Sequence, residues 1–433
     1  MTTAPPPCDP AARTGAADNN ALAEARALFA ANDLVGARKR LESALQEQPD
    51  DYDIIHLLGL VQFQLGEREL AAWSLMQAYR NLDPTPSLIY TLGGILRQLG
   101  RRDEALAVLR AGVARFPENG PMRTNLGSAL LDAGDYKAAD AELRLALEWE
   151  PRNPVTFNRL VALHSATNDT GKAREYGRRG LRLKDELAHE EFARLDAETR
   201  PSLRPAACDC GKKVIAFSLF GADATYFEGA VQNALLAPKV YPGWIARFYH
   251  DATVPAGILS RLRGAGAECI LVDGEPGRMF GTFWRFFASD DPTVARFVCR
   301  DADCRLNARE YAAVEEWLAS GADFHVMRDH LWHNDLILAG LWGGRGGRLP
   351  DIASLALRHC GERSDKWGDQ VFLGNFIWPL IKEHCLIHDS HFDLFGARKF
   401  PPHPTTGQPD HVGRTFPLQT TSRTLKIQFG PKR

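Results

Sequence analysis

The stretch LLGLVQFQLGERELAAWSL, residues 57–75, returns one period later as TLGGILRQLGRRDEALAVL, residues 91–109. The two segments share a Gly at their third position, a second Gly at their tenth, an Ala at their fifteenth and a Leu at their last. These positions recur with a period of 34 residues: Gly59, Gly93 and Gly127; Gly66, Gly100 and Gly134; Ala37, Ala71, Ala105, Ala139 and Ala173; Leu41, Leu75, Leu109 and Leu143. A fixed period of this length indicates an array of stacked helical units.

The residue types at these positions predict two antiparallel helices in each unit. The first Gly predicts a close crossing of the two helices, because a larger side chain there would hold them apart. The second Gly predicts a left-handed residue at the end of the first helix, a conformation that costs glycine little. The small Ala lets the second helix nest against the next unit, and Pro49, Pro84, Pro117 and Pro151 come where second helices stop.

This pattern resembles the tetratricopeptide repeat, in five units that run over 18–51, 52–85, 86–119, 120–153 and 154–187. The resemblance implies a right-handed superhelix whose concave groove binds peptides or partner subunits. A scaffold or a dimerisation arm without a groove ligand is the alternative. Around the array we expect a disordered leader over 1–17, a capping helix over 188–200 and a linker over 201–213.

Composition excludes several classes of protein. The formal net charge of −2 does not indicate a nucleic-acid partner, because domains that bind nucleic acid are usually strongly basic. No stretch approaches the roughly 18 to 20 apolar residues of a membrane span. The first twenty residues lack both the basic and the apolar part of a secretory signal. We therefore expect a cytoplasmic protein.

From residue 214 the periodicity changes class. Apolar runs predict strands at 214–221, 244–251, 268–273, 295–303 and 323–329, and segments with helical spacing lie between them at 226–238, 254–266, 279–289 and 307–320. The alternation predicts an α/β domain over 214–400, with helices on both faces of its sheet, and a tail over 401–433. The first strand is not followed by G-x-G-x-x-G, and the chain has no P-loop motif, so these two nucleotide sites are disfavoured.

The segment Arg300-Asp301-Ala302-Asp303-Cys304-Arg305 lies at the carboxyl end of the fourth predicted strand, where open α/β sheets bind ligands. Asp301 and Asp303 can share one Mg²⁺ or Mn²⁺, which would bridge a diphosphate and neutralise its charge as it leaves. A solvated loop or a helix cap is the alternative for the two acids. Arg300 and Arg305 can contact the pyrophosphate or orient Asp303, and a salt bridge within the loop is the alternative for them.

The order of strands and helices up to this motif resembles the GT-A fold of nucleotide-sugar glycosyltransferases, a Rossmann-related fold. The helix FWRFFAS with Arg285 and the segment KWGDQVFL, 366–373, agree with the resemblance. It implies that Arg285 lies near the nucleotide, and that Asp369 is a catalytic base or sugar-binding acid with Gln370 beside it. Capping of the following helix is the other role open to Asp369. The segment lacks the second acid usual in glycogenin-like enzymes, which leaves retaining or inverting chemistry open.

A late strand over 385–391 carries His388 and His391. The GT-A resemblance implies that a late His completes the metal shell of the two acids, with His388 as the candidate and His391 as the alternative. A His hydrogen-bonded to the backbone is the structural alternative. Trp332 or Trp342 can stack on an acceptor sugar, and we expect GGRGG, 343–347, to be a flexible loop that covers the donor.

The resemblance as a whole implies metal-dependent transfer of a sugar from a nucleotide-diphosphate donor to a protein or glycan acceptor. The repeats would then recruit a protein partner that bears the acceptor, or form a homodimer. A non-catalytic adaptor with a degenerate transferase domain is the main alternative. A phosphohydrolase or nuclease is a weaker one, because such sites usually gather more carboxylates.

Overall fold

The computed structural model describes residues 16–198, 200–205, 209–274, 281–360, 368–402 and 411–415. The expected leader, except for Ala16 and Ala17, and most of the expected tail lie outside these ranges, as do Lys366 and Trp367. The chain divides into two compact units, and the division falls between Asn168 and Asp169. In the described ranges, no helix has both the length and the apolar character that a membrane crossing requires.

The N-terminal unit is built from paired helices: α1 Ala16–Ala30, α2 Leu34–Glu47, α3 Tyr52–Gln64, α4 Arg68–Asn81, α5 Pro86–Gln98, α6 Arg102–Arg115, α7 Gly120–Asp132, α8 Tyr136–Trp149 and α9 Pro154–Ala166. Each pair packs internally, and the first helices of consecutive pairs also pack on one another, as α5 does on α7 and α7 on α9. This is the helical solenoid that the 34-residue period predicts.

Glycines fix the geometry within each pair. A Cβ at Gly93 would lie 2.6 Å from the Leu109 side chain, and one at Gly127 would lie 2.6 Å from that of Leu143. The periodic Leu therefore fills the space that the periodic Gly leaves. Gly66, Gly100 and Gly134 have φ values of 82°, 72° and 81°, the left-handed conformation predicted for the end of each first helix.

The turns that follow α1 and α9 adopt the same conformation without glycine. Asn32 and Asn168 have φ values of 60° and 59° at the positions that the second Gly occupies elsewhere. Asparagine tolerates the left-handed region better than other residues with a side chain, because its amide can hydrogen-bond locally. The turn is therefore kept where the Gly pattern is lost.

The C-terminal unit contains helices and a mixed sheet. Its elements are α10 Thr170–Ala193, β1 Lys212–Leu219, α11 Ala224–Val240, β2 Ile245–His250, α12 Ala256–Gly264, β3 Glu268–Leu271, a 3-10 helix Gly281–Ser289, β4 Val294–Cys299, α13 Ala308–Ser320, β5 Phe324–Arg328, β6 Trp342–Arg345, α14 Ile352–Cys360, α15 Gly368–Phe372, a π-helix Leu373–Ile377, α16 Trp378–Ile381, a 3-10 turn Lys382–His384 and β7 Cys385–Asp389. The predicted aromatic helix is thus a 3-10 helix in its described part.

The seven strands form one sheet in the order β3-β2-β1-β4-β6-β5-β7. Strands β1 to β4 pair in parallel, β5 and β7 are parallel to each other, and β6 is antiparallel to both of its neighbours. Successive side chains of β1 enter different cores: Val214 and Ala216 pack on one face of the sheet, and Ile215 and Phe217 on the other. Apolar layers on both faces explain why this strand reads as a continuous apolar run.

The GGRGG segment is not the expected loop. Gly343 and Gly344 lie in β6, between β4 and β5 in the middle of the sheet. A Cβ at Gly343 would clash with the Phe297 carbonyl, and a Cβ at Gly344 would lie 2.6 Å from the Phe324 ring. Glycine is used here for close backbone approach in a buried strand and not for flexibility.

Helix α10 differs from the expected arrangement of a fifth repeat that ends at 187 and a separate cap over 188–200. It is one 24-residue helix, and its Leu181 and Ala188 belong to the core of the C-terminal unit. Trp378 Nε1 donates to Asp185 Oδ1 over 2.7 Å. The expected linker is also fastened to this unit, since Arg204 N donates to Arg348 O over 2.9 Å and β1 begins at Lys212.

Candidate functional site

A cavity of about 510 Å³ opens at the carboxyl edge of the sheet. From β1 the chain builds β2 and β3 on one side, and it then returns to place β4 on the other side of β1. This reversal is the topological switch point at which open α/β sheets bind ligands. The ends of β1 and β4, the start of α11, the 3-10 helix, segment 338–341 and the start of α15 supply the walls.

Asp301 and Asp303 lie in this cavity, directly after β4. One carboxylate oxygen of each, together with Cys304 Sγ, falls within 4.8 Å of the others. The opposite wall leaves room for Asp301, because a Cβ at Gly340 would collide with its carboxylate. Carboxylate oxygens held this close are of the kind that a divalent cation such as Mg²⁺ or Mn²⁺ takes as ligands.

A buried asparagine, which the sequence did not single out, holds the acidic loop. Asn233 is fully buried on α11, and its Nδ2 donates to Cys304 O over 2.8 Å. Its Oδ1 accepts from Leu306 N over 3.2 Å. Gly229, one turn earlier on α11, lets the loop approach the helix, because a Cβ there would clash with the Ala302 carbonyl. The loop that carries both acids is therefore fixed at several backbone atoms.

Arg285 joins two of the predicted acids. Its guanidinium is buried, donates to Asp301 Oδ1 and also donates to Asp369 Oδ2 over 2.8 Å. Asp369 is buried too, and burial raises the pKa of its carboxyl group. Gln370 lies beside it on the cavity wall, and its Nε2 donates to Asp335 Oδ2 over 3.3 Å. The structure thus brings together Asp301, Asp303, Asp369, Gln370 and Arg285, from segments far apart in the chain.

Arg300 points away from the cavity. Side chains alternate along β4, so Arg300 enters the layer under α11 and α13, where its Nε donates to Glu310 over 3.1 Å and a terminal nitrogen donates to Tyr241 Oη over 3.1 Å. Arg305 turns its guanidinium to the carbonyls of its own loop, including Cys304 O at 3.2 Å. In this structure Arg300 is a core residue, and Arg305 braces the loop.

His388 is not next to the acids. It is fully buried on β7, three strands from β4, a separation of roughly 14 Å at the usual strand spacing. Its Nδ1 lies 2.8 Å from His325 Nε2, and its Nε2 lies 3.4 Å from Glu316. This arrangement does not place His388 in the metal shell expected from the sequence.

The two candidate acceptor-stacking residues also lie apart. Trp342 is fully buried in β6, where its ring meets the edges of Phe286 and Phe297 at centroid distances of 5.6 and 5.2 Å. It is a core aromatic residue. Trp332 is 61% exposed and lies in the segment between β5 and β6.

Several residues of the cavity carried no signal in the sequence. Tyr226 and His333 contribute to its wall, as do Gly413 and Thr415 from the region expected to be a tail. Burial, with help from the neighbouring His411 and His330, lowers the pKa of His333 to about 3, so its imidazole is neutral at pH 7. Only the fold brings these residues to the sheet edge, and no local pattern marks them.

The cavity is acidic. The described residues that line it include four with carboxylates, Asp223, Asp301, Asp303 and Asp369, and one with a guanidinium, Arg285. A diphosphate would be repelled by this set unless a cation accompanied it. The charge of the cavity therefore agrees with a ligand that arrives together with a divalent ion.

Comparisons with known proteins concern the helical array. Two tetratricopeptide repeat family models match residues 22–87 and 96–163. The N-terminal helices are tetratricopeptide repeats. The mixed seven-stranded sheet follows them in the chain.

A curated protein, BBSome complex member bbs-4 of Caenorhabditis elegans, is 27% identical over 136 residues, which are 31% of this chain. The chain spans 29% of the length of that relative. Among solved structures, YrrB, described as a tetratricopeptide repeat protein with an unusual peptide-binding site, is 20% identical with a TM-score of 0.35, over 38% of this chain and 84% of its own. MamA from Desulfovibrio magneticus RS-1 is 17% identical with a TM-score of 0.37, over 39% and 96%.

Proposed function

We propose that the repeats bind a protein partner, so that the chain acts as a protein-interaction adaptor. The family matches over 22–87 and 96–163 support this proposal. The layer of first helices offers a surface of mixed chemistry. Tyr90 on α5 is 45% exposed, Asn125 on α7 donates to its carbonyl over 3.1 Å, and Arg97 pairs with Asp132 over 2.9 Å. Polar groups of neighbouring first helices thus meet on one surface.

Affinity capture from cell extract with purified variants tests this proposal. Tyr90→Ala combined with Arg97→Ala should reduce the recovery of specific partners, whereas Trp149→Ala, which removes a 50%-exposed side chain from the second helix α8, should not. Equal recovery by all three proteins would contradict a role for this surface. Sedimentation velocity over a range of concentrations separates a homodimer, which changes mass with concentration, from a distinct partner.

For the C-terminal unit we propose metal-dependent transfer of a sugar from a nucleotide-diphosphate donor to a hydroxyl group of a protein or glycan acceptor. One observation carries this proposal: the acidic cavity at the switch point, in which Arg285 links Asp301, a candidate cation ligand, to the buried Asp369. The charge and position of the cavity support a ligand that combines phosphates with a cation. A cytoplasmic location belongs to the same proposal.

Each residue then has a stated task. Asp301 and Asp303 would hold the Mg²⁺ or Mn²⁺, and the cation would supply positive charge near the leaving diphosphate. Arg285 keeps the Asp301 carboxylate oriented and adds a second cationic group at the cavity wall. Asp369 either removes the proton of the acceptor hydroxyl or accepts a hydrogen bond from the donor sugar, and its raised pKa suits the first task. Gln370, next to Asp369, can donate or accept a hydrogen bond at the same place in the cavity.

Release of nucleoside diphosphate from a panel of nucleotide sugars separates this enzyme from the non-catalytic adaptor. We expect slow hydrolysis of one donor that depends on an added divalent cation, Mn²⁺ or Zn²⁺, and its loss in Asp303→Asn and Asp369→Asn. Glu383→Gln is the matched control, because Glu383 is exposed and precedes β7 at the opposite edge of the sheet. If no donor is cleaved under any condition while partner binding is intact, the chain is an adaptor with a degenerate transferase domain.

A further inference from the structure

Cys304 places a sulfur atom next to the two acids of the cavity. It directly follows Asp303, lines the same cavity, and its Sγ falls within 4.8 Å of the carboxylate oxygens of Asp301 and Asp303. Two ligands of one tetrahedral ion lie roughly 3.3 to 3.8 Å apart, given metal–ligand bonds of about 2.0 to 2.3 Å. The three atoms, all within 4.8 Å of one another, are therefore at most about 1.5 Å farther apart than ligands of one ion.

Hydrogen bonds fix both the backbone and the thiol of Cys304. The carbonyl of Cys304 accepts from the fully buried Asn233 over 2.8 Å. Its Sγ donates to Gly413 O over 3.1 Å, and Cys304 also pairs with Thr415 in a β-bridge. The thiol is therefore aimed between the acidic loop and segment 411–415, both of which bound the cavity.

We propose that Cys304 is a third ligand of the Asp301–Asp303 cation site, and that the site prefers Zn²⁺ or Co²⁺ to Mg²⁺. The inference rests on the proposed cation site, and it replaces the Mg²⁺ or Mn²⁺ proposed there with a softer ion. Mg²⁺ takes oxygen ligands, whereas a thiolate selects borderline and softer ions. Binding forms the metal–sulfur bond and releases the thiol proton to solvent, in exchange for the hydrogen bond to Gly413.

A structural role for Cys304 makes a different prediction. If the thiol only ties segment 411–415 to the acidic loop, then its replacement weakens that contact and leaves the preference among cations unchanged. Metal selectivity distinguishes the two roles, because a hydrogen bond to Gly413 does not determine which cation binds.

Titration of the full chain with Co²⁺ tests the proposal, because thiolate ligation produces a sulfur-to-cobalt charge-transfer band in the near ultraviolet. We expect this band in the wild type and in Cys269→Ser, and its loss in Cys304→Ser. Cys269 is the control, because it is a free, half-buried cysteine in β3, outside the cavity lining. The affinity of Cys304→Ser for Zn²⁺ should fall at least about tenfold, the lower limit seen when even a supporting group is removed, with little change for Mg²⁺.

A second measurement needs no substitution. Bound Zn²⁺ should slow alkylation of Cys304 in the wild type, read by mass spectrometry, while Mg²⁺ should not. Cobalt binding without the charge-transfer band, or an unchanged Zn²⁺ to Mg²⁺ preference in Cys304→Ser, overturns the proposal. If the band is present but no nucleotide sugar binds, the cation site stands and the transferase proposal fails.

Discussion

Arg285 is the residue on which the charge balance of the cavity depends. It is buried and shared between Asp301, whose side chain is 42% exposed, and Asp369, whose side chain is 5% exposed. A buried carboxylate without a partner is costly, and the burial that raises the pKa of Asp369 is the same effect. Removal of Arg285 should therefore affect stability as well as ligand binding.

We predict that Arg285→Gln lowers the free energy of unfolding of the C-terminal unit by about 3 to 5 kcal/mol, because the buried Asp369 carboxylate loses the guanidinium that balances its charge. Arg261→Gln is the control, since its pair with Glu228 is 47% and 38% exposed, and it should cost under about 1 kcal/mol. Urea unfolding followed by tryptophan fluorescence measures both. The double variant Arg285→Gln/Asp369→Asn should recover part of the loss, and an equal loss in single and double variants would contradict this account.

Asp290 should give the unit a measurable pH dependence. Its carboxylate accepts from Ile352 N over 3.0 Å at the start of α14, and burial raises its pKa from 3.8 to about 6. The folded state thus binds the proton more tightly than the unfolded state. The contribution of the protonated Asp290 carboxyl group to the free energy of unfolding is fully present below about pH 4. It is lost as the pH rises through about 6.

We predict that the unfolding free energy falls by roughly 2 kcal/mol more between pH 4 and pH 7 in the wild type than in Asp290→Asn. Urea titrations of both proteins at the two pH values measure the difference. Parallel pH profiles would show that Asp290 does not carry a raised pKa.

At the scale of elements, neighbouring glycines of α5 allow a matched test of the repeat geometry. A Cβ at Gly93 would lie 2.6 Å from Leu109, whereas one at Gly94 would meet only Asn125, at 3.7 Å. Gly93→Ala should destabilise the N-terminal unit by about 1 to 3 kcal/mol through overpacking. Gly94→Ala should be neutral or stabilise it by up to about 1 kcal/mol, since Ala is the better helix former. Thermal unfolding by circular dichroism measures both variants, and equal shifts would refute the close-crossing explanation.

The same residue type shows where local pattern predicts a fold and where it does not. Gly93 and Gly127 recur with a period, so their packing partners follow from the spacing alone. Gly343 and Gly344 belong to no repeat, and their partners, Phe297 and Phe324, come from strands that only the folded sheet brings alongside. The spacing in the sequence was enough to predict the contacts of Gly93 and Gly127. The contacts of Gly343 and Gly344 depend on the order of the strands, which no local pattern shows.

Helix α10 is another element that local pattern assigned differently. Ala173 keeps the 34-residue period, which suggests a fifth repeat, yet Leu181 and Ala188 pack in the core of the sheet unit. The periodic residues account for only one face of α10. The helix also contacts residues near 378, which lie far along the chain and which its own sequence does not indicate.

At the scale of the whole molecule, α10 should be required for folding of the C-terminal unit. A fragment of residues 169–433 is expected to be monomeric and cooperative in thermal unfolding. A fragment of residues 201–433 lacks α10, exposes the core around Trp378 and leaves Lys382 without Asp185, its partner at 2.9 Å. We predict that the shorter fragment aggregates or melts at least about 10 °C lower, since a loss of several kcal/mol shifts Tm by this order. Equal melting temperatures would place the boundary at 201–213.

The candidate site was predictable in part. Asp301 and Asp303 follow an apolar strand directly, and that local pattern was enough to place them at a carboxyl edge. His388 also ends a strand, but β7 lies three strands away from β4, and nothing in its own segment reveals this order. Arg300 was assigned by proximity to the acids, although alternation along β4 turns it into the core.

In our proposal, the cavity binds a nucleotide-diphosphate sugar through a cation held by Asp301 and Asp303. The melting temperature of the full chain with a panel of nucleotide sugars, with and without Mn²⁺ or Zn²⁺, tests it most directly, because ligand binding to the native state raises stability. We expect a rise of several degrees for one nucleotide only when the metal is present, and we expect this rise to be absent in Asp303→Asn and retained in Glu383→Gln. No shift with any donor, or the same shift in Asp303→Asn, would contradict it.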